Sequence, residues 1–231
     1  DAAALERLTG HARVPVVPNG VELPELADLP GEDGQPTVIF TGVLNYPPNV
    51  EAARWFAREA WPLVLEEVPD ARFVIAGRSP APAVTALGGE DGIEVRPDVP
   101  DMNREIRRAA MAVAPMRSGS GIKNKVLEAW AVGRPVVLTE LATNGLGLDP
   151  DGTLAELVCT GADAIAEAVA DLLRDDERRH RLGELSREVA RERHSWQSAG
   201  ASLARALEAA GVIDSVAPAT GDDTDAGRRD A

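Results

Sequence analysis

The 231-residue chain has a single cysteine, Cys159, so an internal disulfide and a cysteine-rich zinc site are both excluded. Cys159 is expected to behave as a small buried apolar residue. Aromatic residues make up 3% of the chain against 44% hydrophobic residues overall, which predicts an aliphatic, alanine-rich core. No apolar run reaches the roughly 18 residues that a transmembrane helix needs. No signal peptide is visible; the chain opens with Asp1 rather than Met, which predicts a piece of something longer. Positive charge is also scarce. At a formal net charge of −14 the chain lacks the basic face of a nucleic-acid binder and the polybasic segments that hold proteins to anionic lipid. Histidine, aspartate and glutamate are nowhere clustered at metal-ligand spacing, and His11, His180 and His194 read as surface or packing residues. There is no internal repeat.

The basic residues that do occur are unevenly distributed. Of 24, only two are lysines, and both fall in Gly119-Ser120-Gly121-Ile122-Lys123-Asn124-Lys125. No acidic residue occurs from Met111 to Leu127, whereas Arg117, Lys123 and Lys125 contribute three positive charges. In an acidic chain this is a local electropositive island, and an anion site is the functional reading of it.

Short β-branched or apolar runs alternate with amphipathic stretches. Strands are predicted at Thr37–Thr41, Ala71–Ala76, Ile93–Arg96, Met111–Pro115, Pro135–Thr139 and, weakly, Leu157–Cys159. Helices are predicted at Asn49–Glu67 with Asn49 as N-cap, Pro82–Leu87, Met102–Ala109, Ile122–Val132 closed by Gly133, Ala162–Arg174, Glu177–Arg193 and Ser195–Ala210. Strand and helix in alternation imply parallel strands joined by crossover helices, and near-continuous apolar strands suit a sheet covered on both faces. The expected fold is α/β: a Rossmann-like, doubly wound parallel sheet followed by C-terminal helices. Ligands of such sheets sit beyond the carboxyl ends of the strands, here the loops after Thr41, Ala76, Pro115 and Thr139. Residues 1–23, with a short strand and a turn in His11–Val21, read as a connection from an earlier domain. Residues 24–194 read as the sheet domain, 195–213 as a closing helix, and 214–231 as a disordered tail poor in apolar periodicity.

The loop Met116-Arg117-Ser118-Gly119-Ser120-Gly121 leads into a helix. Glycines let backbone approach a ligand closely, and a helix start offers unpaired N–H groups and a positive dipole end, both suited to phosphate. Lys123 and Lys125 add mobile charge. The loop is neither a Walker motif nor the dinucleotide fingerprint, whose third glycine would fall at Asn124. Glu128 follows one turn later among Val126, Leu127, Ala129 and Trp130. A carboxylate there needs partners: the two hydroxyls of a ribose would serve, and so would Lys125 or solvent.

At these residues the sequence resembles a known family. Gly119–Val137 (GSGIKNKVLEAWAVGRPVV) is similar to the signature region of glycosyltransferase family 4. Pro18-Asn19-Gly20-Val21-Glu22 resembles the segment leading into the C-terminal domain of these enzymes. Gly42–Asn49 (GVLNYPPN) resembles the first strand–loop of that domain in a bacterial polysaccharide-type subgroup. Val99-Pro100-Asp101-Met102, Ala112–Pro115, Asn144-Gly145-Leu146 and His194-Ser195-Trp196 fall in matching order, so the likeness runs from about Val14 to Ala210.

The resemblance implies the C-terminal, donor-binding half of a two-domain GT-B glycosyltransferase. It would take a nucleotide-diphosphate sugar as donor and a glycan or lipid-linked acceptor, retain anomeric configuration, and use neither cofactor nor metal. It further implies a missing N-terminal domain as partner. The location would be cytoplasmic, or peripheral to the inner membrane through that missing half. Glu128 corresponds to the second glutamate of the family's Glu-x7-Glu motif, the ribose binder, while the first falls on Ser120. The family's Gly-Arg in the first loop is here Gly42-Val43, with no basic residue before Arg54. Diphosphate contact is therefore expected from Gly42, Arg117, Gly119, Ser120, Gly121, Lys123 and Lys125. A nicotinamide oxidoreductase is excluded by the sequence after the first strand; a nucleotide-sugar epimerase of the same fold and a non-catalytic nucleotide-binding module stay open.

Overall fold

A computed structural model of the chain describes residues 2–10, 15–89, 91–149 and 151–213. Six strands form one sheet: β1 Thr37–Val43, β2 Arg72–Arg78, β3 Ile93–Pro97, β4 Met111–Ala114, β5 Val136–Thr139 and β6 Val158–Cys159. Every pairing is parallel and the order is β3-β2-β1-β4-β5-β6. This is the order of a doubly wound Rossmann sheet, the architecture expected from the alternating pattern. Chain direction across the sheet reverses between β1 and β4, which opens a crevice at their carboxyl ends.

The helices are α1 Ala2–Thr9, α2 Pro47–Trp55, α3 Trp61–Glu67, α4 Pro82–Thr85, α5 Met102–Arg108, α6 Asn124–Ala131, α7 Ala162–Arg174, α8 Asp176–His194 and α9 Trp196–Ala209. Their contacts sort them into two layers, with α3 against α7 on one face and α6 against α5 and α8 on the other. β1, β2 and β4 are buried between these layers, which explains their lack of polar alternation. The few aromatics are concentrated where α2 and α3 meet β2: Phe56 and Trp61 lie 4.7 and 5.5 Å, centroid to centroid, from Phe73. Most of the remaining core is alanine, valine, leucine and isoleucine, and Cys159 is buried as expected.

Several expectations need correction. The single helix predicted over Asn49–Glu67 begins two residues earlier, with Pro47 and Pro48 in its first turn, and passes through a π-helical turn at Phe56–Ala60. Proline at a helix start sacrifices no hydrogen bond. Asn49 is therefore not the N-cap; that position is Tyr46, and the Asn49 side chain is buried with a different task. Helix α6 starts at Asn124 rather than Ile122, because the residues before it form the loop described below. Gly133 follows α6 at φ +71°, the left-handed stop expected of it. The α1 helix was not anticipated in residues 1–23. The short strand expected in His11–Val21 is reduced, among the described residues, to one bridge between Val21 and Ser195. Residues 11–14 and the tail 214–231 lie outside the described residues.

Candidate functional site

The site lies at the carboxyl ends of the strands, where glycines bring β1 and β2 close together. Gly42, the penultimate residue of β1, lies opposite Gly77 of β2, and a Cβ on Gly77 would lie 1.8 Å from the Gly42 carbonyl oxygen. A Cβ on Gly42 would lie 2.7 Å from Asn49 Nδ2 and 3.2 Å from Lys125 Nζ. That space is taken by a small polar network. Asn49 Nδ2 donates to the Val43 carbonyl (2.9 Å), and Lys125 Nζ donates to Asn49 Oδ1 (2.8 Å). The Lys125 ammonium also sits over the Phe40 ring, 3.8 Å from its centroid. The first loop itself holds no basic residue before Arg54, but the amino group of Lys125 is present at it. Helix α6 supplies it from across the crevice, and Asn49 of α2 holds it.

The Gly-Ser-Gly loop is organised by the other lysine. Lys123 Nζ donates to the carbonyls of Gly119, Ser120 and Gly121 at 3.1, 3.2 and 2.9 Å. Three donors bind three carbonyls, so Lys123 acts as the clip of its own loop, not as the mobile cation that the sequence suggested. Gly119 and Gly121 adopt φ +96° and +76°, conformations that L side chains rarely take. From behind, Gly145 (φ +79°) leaves room for Ile122, whose Cγ1 would be 2.3 Å from a Cβ there. Thr139 of β5 donates to the Met116 carbonyl (2.7 Å) and fixes the loop's start. No side chain caps α6, so its first turn points backbone N–H groups and a positive dipole end at the crevice.

Together these elements enclose a cavity of about 370 Å³. Gly42, Gly119, Ser120, Lys123, Lys125 and Glu128 all line it. Two predicted residues are placed differently. Gly121 belongs to the loop but is not among the lining residues, and Arg117 turns away. Its guanidinium lies 5.2 Å from the Trp55 ring centroid and 3.9 Å from Glu51, in a separate cleft along α2. Arg78, at the end of β2, lines the cavity and was not singled out from the sequence. The one available signal was the rule that ligands lie beyond strand ends, which had marked the loop after Ala76.

Electrostatics differ between the two lysines and the glutamate. Burial pushes Lys125 down to about 7, reinforced by Lys123 and opposed by Glu128. Burial also lowers Lys123 and raises Glu128; Lys125 pulls Glu128 back. Glu128 makes no ion pair within 4 Å of Lys125, although the two charges still act on each other. Glu128 lines a second cavity too, of about 550 Å³, shared with Gly20, Glu22, Asp101, Asn103, Asn124 and Trp196. The leading segment forms part of that wall. Asn19 donates to Asn124 (2.9 Å), the Val21 N–H donates to the His194 carbonyl (2.6 Å), and Gly20 passes so close under the Trp196 indole that a Cβ would be 2.4 Å from it. His194 is buried against the Leu146 carbonyl (2.9 Å), and the exposed His180 reaches Glu32 (3.3 Å); both are structural, as expected, and His11 lies outside the described residues. Among the described residues no group of histidine, cysteine and carboxylate side chains is arranged to hold a metal ion, and no helix is long and apolar enough to cross a membrane.

The chain is 30% identical over 224 residues to the phosphatidyl-myo-inositol mannosyltransferase of Mycolicibacterium smegmatis, covering 91% of this chain and 56% of that protein. It thus spans about half the length of the curated relatives it matches. Its fold is shared with the sucrose-phosphate synthase of Thermosynechococcus elongatus (TM-score 0.65, 19% identity, 90% of this chain and 56% of that one). It is shared also with S. aureus TarM, solved in complex with UDP (TM-score 0.67, 15% identity, 88% and 41%). Residues 35–175, more than half of the chain, match the glycosyl transferases group 1 family, and the chain belongs to that family.

Proposed function

We propose that this chain is the donor-binding half of a glycosyltransferase that moves a sugar from a nucleotide-diphosphate sugar to a glycan or lipid-linked acceptor, retaining anomeric configuration and needing no metal. The observation that carries the reading is the position of Glu128 on the wall between two cavities. A nucleotide with its ribose hydroxyls on Glu128 would place its diphosphate in the cavity of Gly42, Lys125 and the Gly-Ser-Gly loop. Its base would then lie in the cavity of Asp101, Asn103 and Trp196. Each half of such a ligand meets suitable chemistry: cations and helix N–H groups for the diphosphate, a broader and less cationic space for the base.

In sugar transfer the leaving nucleoside diphosphate gains negative charge as the glycosidic bond breaks. Donors fixed in advance at that position stabilise the transition state without reorganising. Lys125, the α6 N-terminus and the loop clipped by Lys123 would fill this role, which is why a metal ion is not needed in the account. Ser120, standing where relatives carry the first glutamate, leaves the donor sugar without that carboxylate. The acceptor would be held mainly by an N-terminal domain joined through residues 1–23, in the cytoplasm or at the inner membrane surface. The exposed apolar residues Trp196 (67%) and Leu203 (48%) of α9 suit contact with such a domain. Orienting two substrates is worth on the order of 7–11 kcal/mol of barrier, so the chain alone is expected to bind donor without transferring sugar.

The test is to join the chain to the N-terminal half of a family relative and follow transfer by NMR. Product with retained anomeric configuration, formed equally well with EDTA present, is the expected result. Loss of activity in EDTA or inversion at the anomeric carbon would overturn the finer claims. Transfer by the 231-residue chain alone would overturn the division of labour.

A further inference from the structure

Lys125 is poorly compensated for an ammonium group. Its hydrogen-bond partner is a neutral amide, Asn49 Oδ1, and its other close neighbour is the face of Phe40. An aromatic face attracts a cation, but neither neighbour carries charge. No carboxylate lies within ion-pair distance of it among the described residues. Other titratable or charged groups facing the same cavity are Glu128 and Lys123 on its own segment, Arg78 from the end of β2, and Tyr46 from the start of α2. With Lys125 itself charged, cations would outnumber anions there three to one before any ligand is counted. Burial and Lys123 work against the charged form of Lys125, Glu128 works for it, and the balance leaves it titrating at about 7.

We infer that Lys125 takes up a proton when a diphosphate enters the cavity, so that donor binding by this chain is coupled to pH. The inference rests on the donor site proposed above. The step is balanced simply: buffer acid gives a proton to the neutral amine at Nζ, and ammonium and buffer base result. A diphosphate brings two negative charges to the mouth of the cavity, and nearby opposite charge favours the protonated lysine. Well below pH 7 the amine is already charged and binding takes up nothing. Above it, uptake rises towards one proton per site, and affinity falls with pH by up to about tenfold per unit until the lysine of the complex itself deprotonates. Asn49 is the positioning residue of this device, since it holds Nζ at the end of β1 in either protonation state: its Oδ1 accepts from ammonium or amine.

The experiment is calorimetric titration of the chain with UDP-glucose, UDP-N-acetylglucosamine and GDP-mannose, at about pH 6 and about pH 8, in pairs of buffers of low and high ionisation enthalpy. These diphosphates are esterified at both ends and do not titrate in this range, so any proton taken up goes to the protein. The expected result is heat independent of buffer at about pH 6 and an uptake approaching one proton at about pH 8, with a parallel fall in wild-type affinity. Lys125→Arg, which stays charged, should abolish the uptake, and Glu128→Gln should keep it. Binding at about pH 8 with no buffer dependence overturns the inference and leaves the donor site standing. Uptake that survives in Lys125→Arg overturns it as well, by assigning the proton elsewhere. Absence of binding by all three nucleotide sugars overturns it together with the proposed function.

Discussion

The two ends of α6 carry the same kind of side chain in opposite circumstances. Beyond its C-terminal end, Arg134 and Arg179 are buried with a carboxylate and backbone carbonyls as partners, although the Nε of each has no partner among the described residues. Glu32 lies 2.9 Å from each guanidinium, the Arg107 carbonyl accepts from Arg134 (2.6 Å), and the Leu172 carbonyl accepts from Arg179 (2.8 Å). Arg187 completes that end, donating to the carbonyls of Ala131 and Pro24, where a cation also complements the helix dipole. At the N-terminal end, Lys125 and Glu128 face a cavity, unpaired with each other and desolvated enough to disturb both. The ion-paired cluster straps residues 24–32 to α8. The pair beside the cavity has no such carboxylate partner, and in the proposed function it is a ligand that answers it. The comparison predicts that mutations at the two ends separate stability from affinity.

The largest effect is expected at the ion-paired end. Glu32→Ala leaves two buried guanidinium groups without their shared carboxylate, and breaking a buried pair in this way costs about 3–5 kcal/mol. Urea unfolding should show that loss, while nucleotide affinity of the folded protein should not change. If Glu32→Ala instead weakens nucleotide binding and leaves stability alone, the assignment of the two ends is reversed.

Lys125→Ala should behave in the opposite way. Losing a charge-assisted hydrogen bond costs about 1.5–3 kcal/mol, roughly ten- to 150-fold in affinity for a nucleoside diphosphate. The free nucleoside should be affected little. Stability supplies a second readout, with its sign fixed. The folded-state value of about 7 lies below the ordinary 10.5, so the unfolded chain binds more protons between the two and wild-type stability rises with pH across that window. Urea midpoints from about pH 7 to 9 should lose this component of the slope in Lys125→Ala; an unchanged slope contradicts the burial of the amine.

The fold was largely legible because a parallel sheet buried on both faces is written as short apolar runs between glycines. All six strands lie where the runs are, with ends shifted by one or two residues. The loop that lines the cavity was legible as a candidate because two lysines stand alone in an acidic chain. What could not be read was direction. Arg117 and Lys125 are both basic residues near one loop, yet packing sends Arg117 onto Trp55 and Lys125 beneath Gly42. Asn49 looked like a cap because it follows two prolines, but those prolines fit inside the first turn and free Asn49 to hold a lysine 76 residues away. Arg78 reaches the site through the pairing of β1 with β2, a long-range relation without local signature.

Glu128→Gln should weaken a ribonucleoside diphosphate about tenfold and its 2′-deoxy counterpart much less, since it removes charge-assisted bonds to the hydroxyls. Equal losses in calorimetry would make Glu128 a structural residue. Arg117→Ala should change nucleotide affinity less than about threefold, the range of surface substitutions away from any site. A larger loss would mean that the loop turns Arg117 into the cavity when ligand binds.

The central claim is that the crevice between β1 and β4 binds a nucleoside diphosphate through its phosphates. The most direct measurement compares, by calorimetry on the 231-residue chain, UDP and GDP with uridine and guanosine, each against wild type and Lys125→Ala. The account predicts that at least one diphosphate binds more tightly than its nucleoside, and that Lys125→Ala removes most of that advantage. Diphosphate and nucleoside binding with equal affinity, or an advantage untouched by Lys125→Ala, would contradict it.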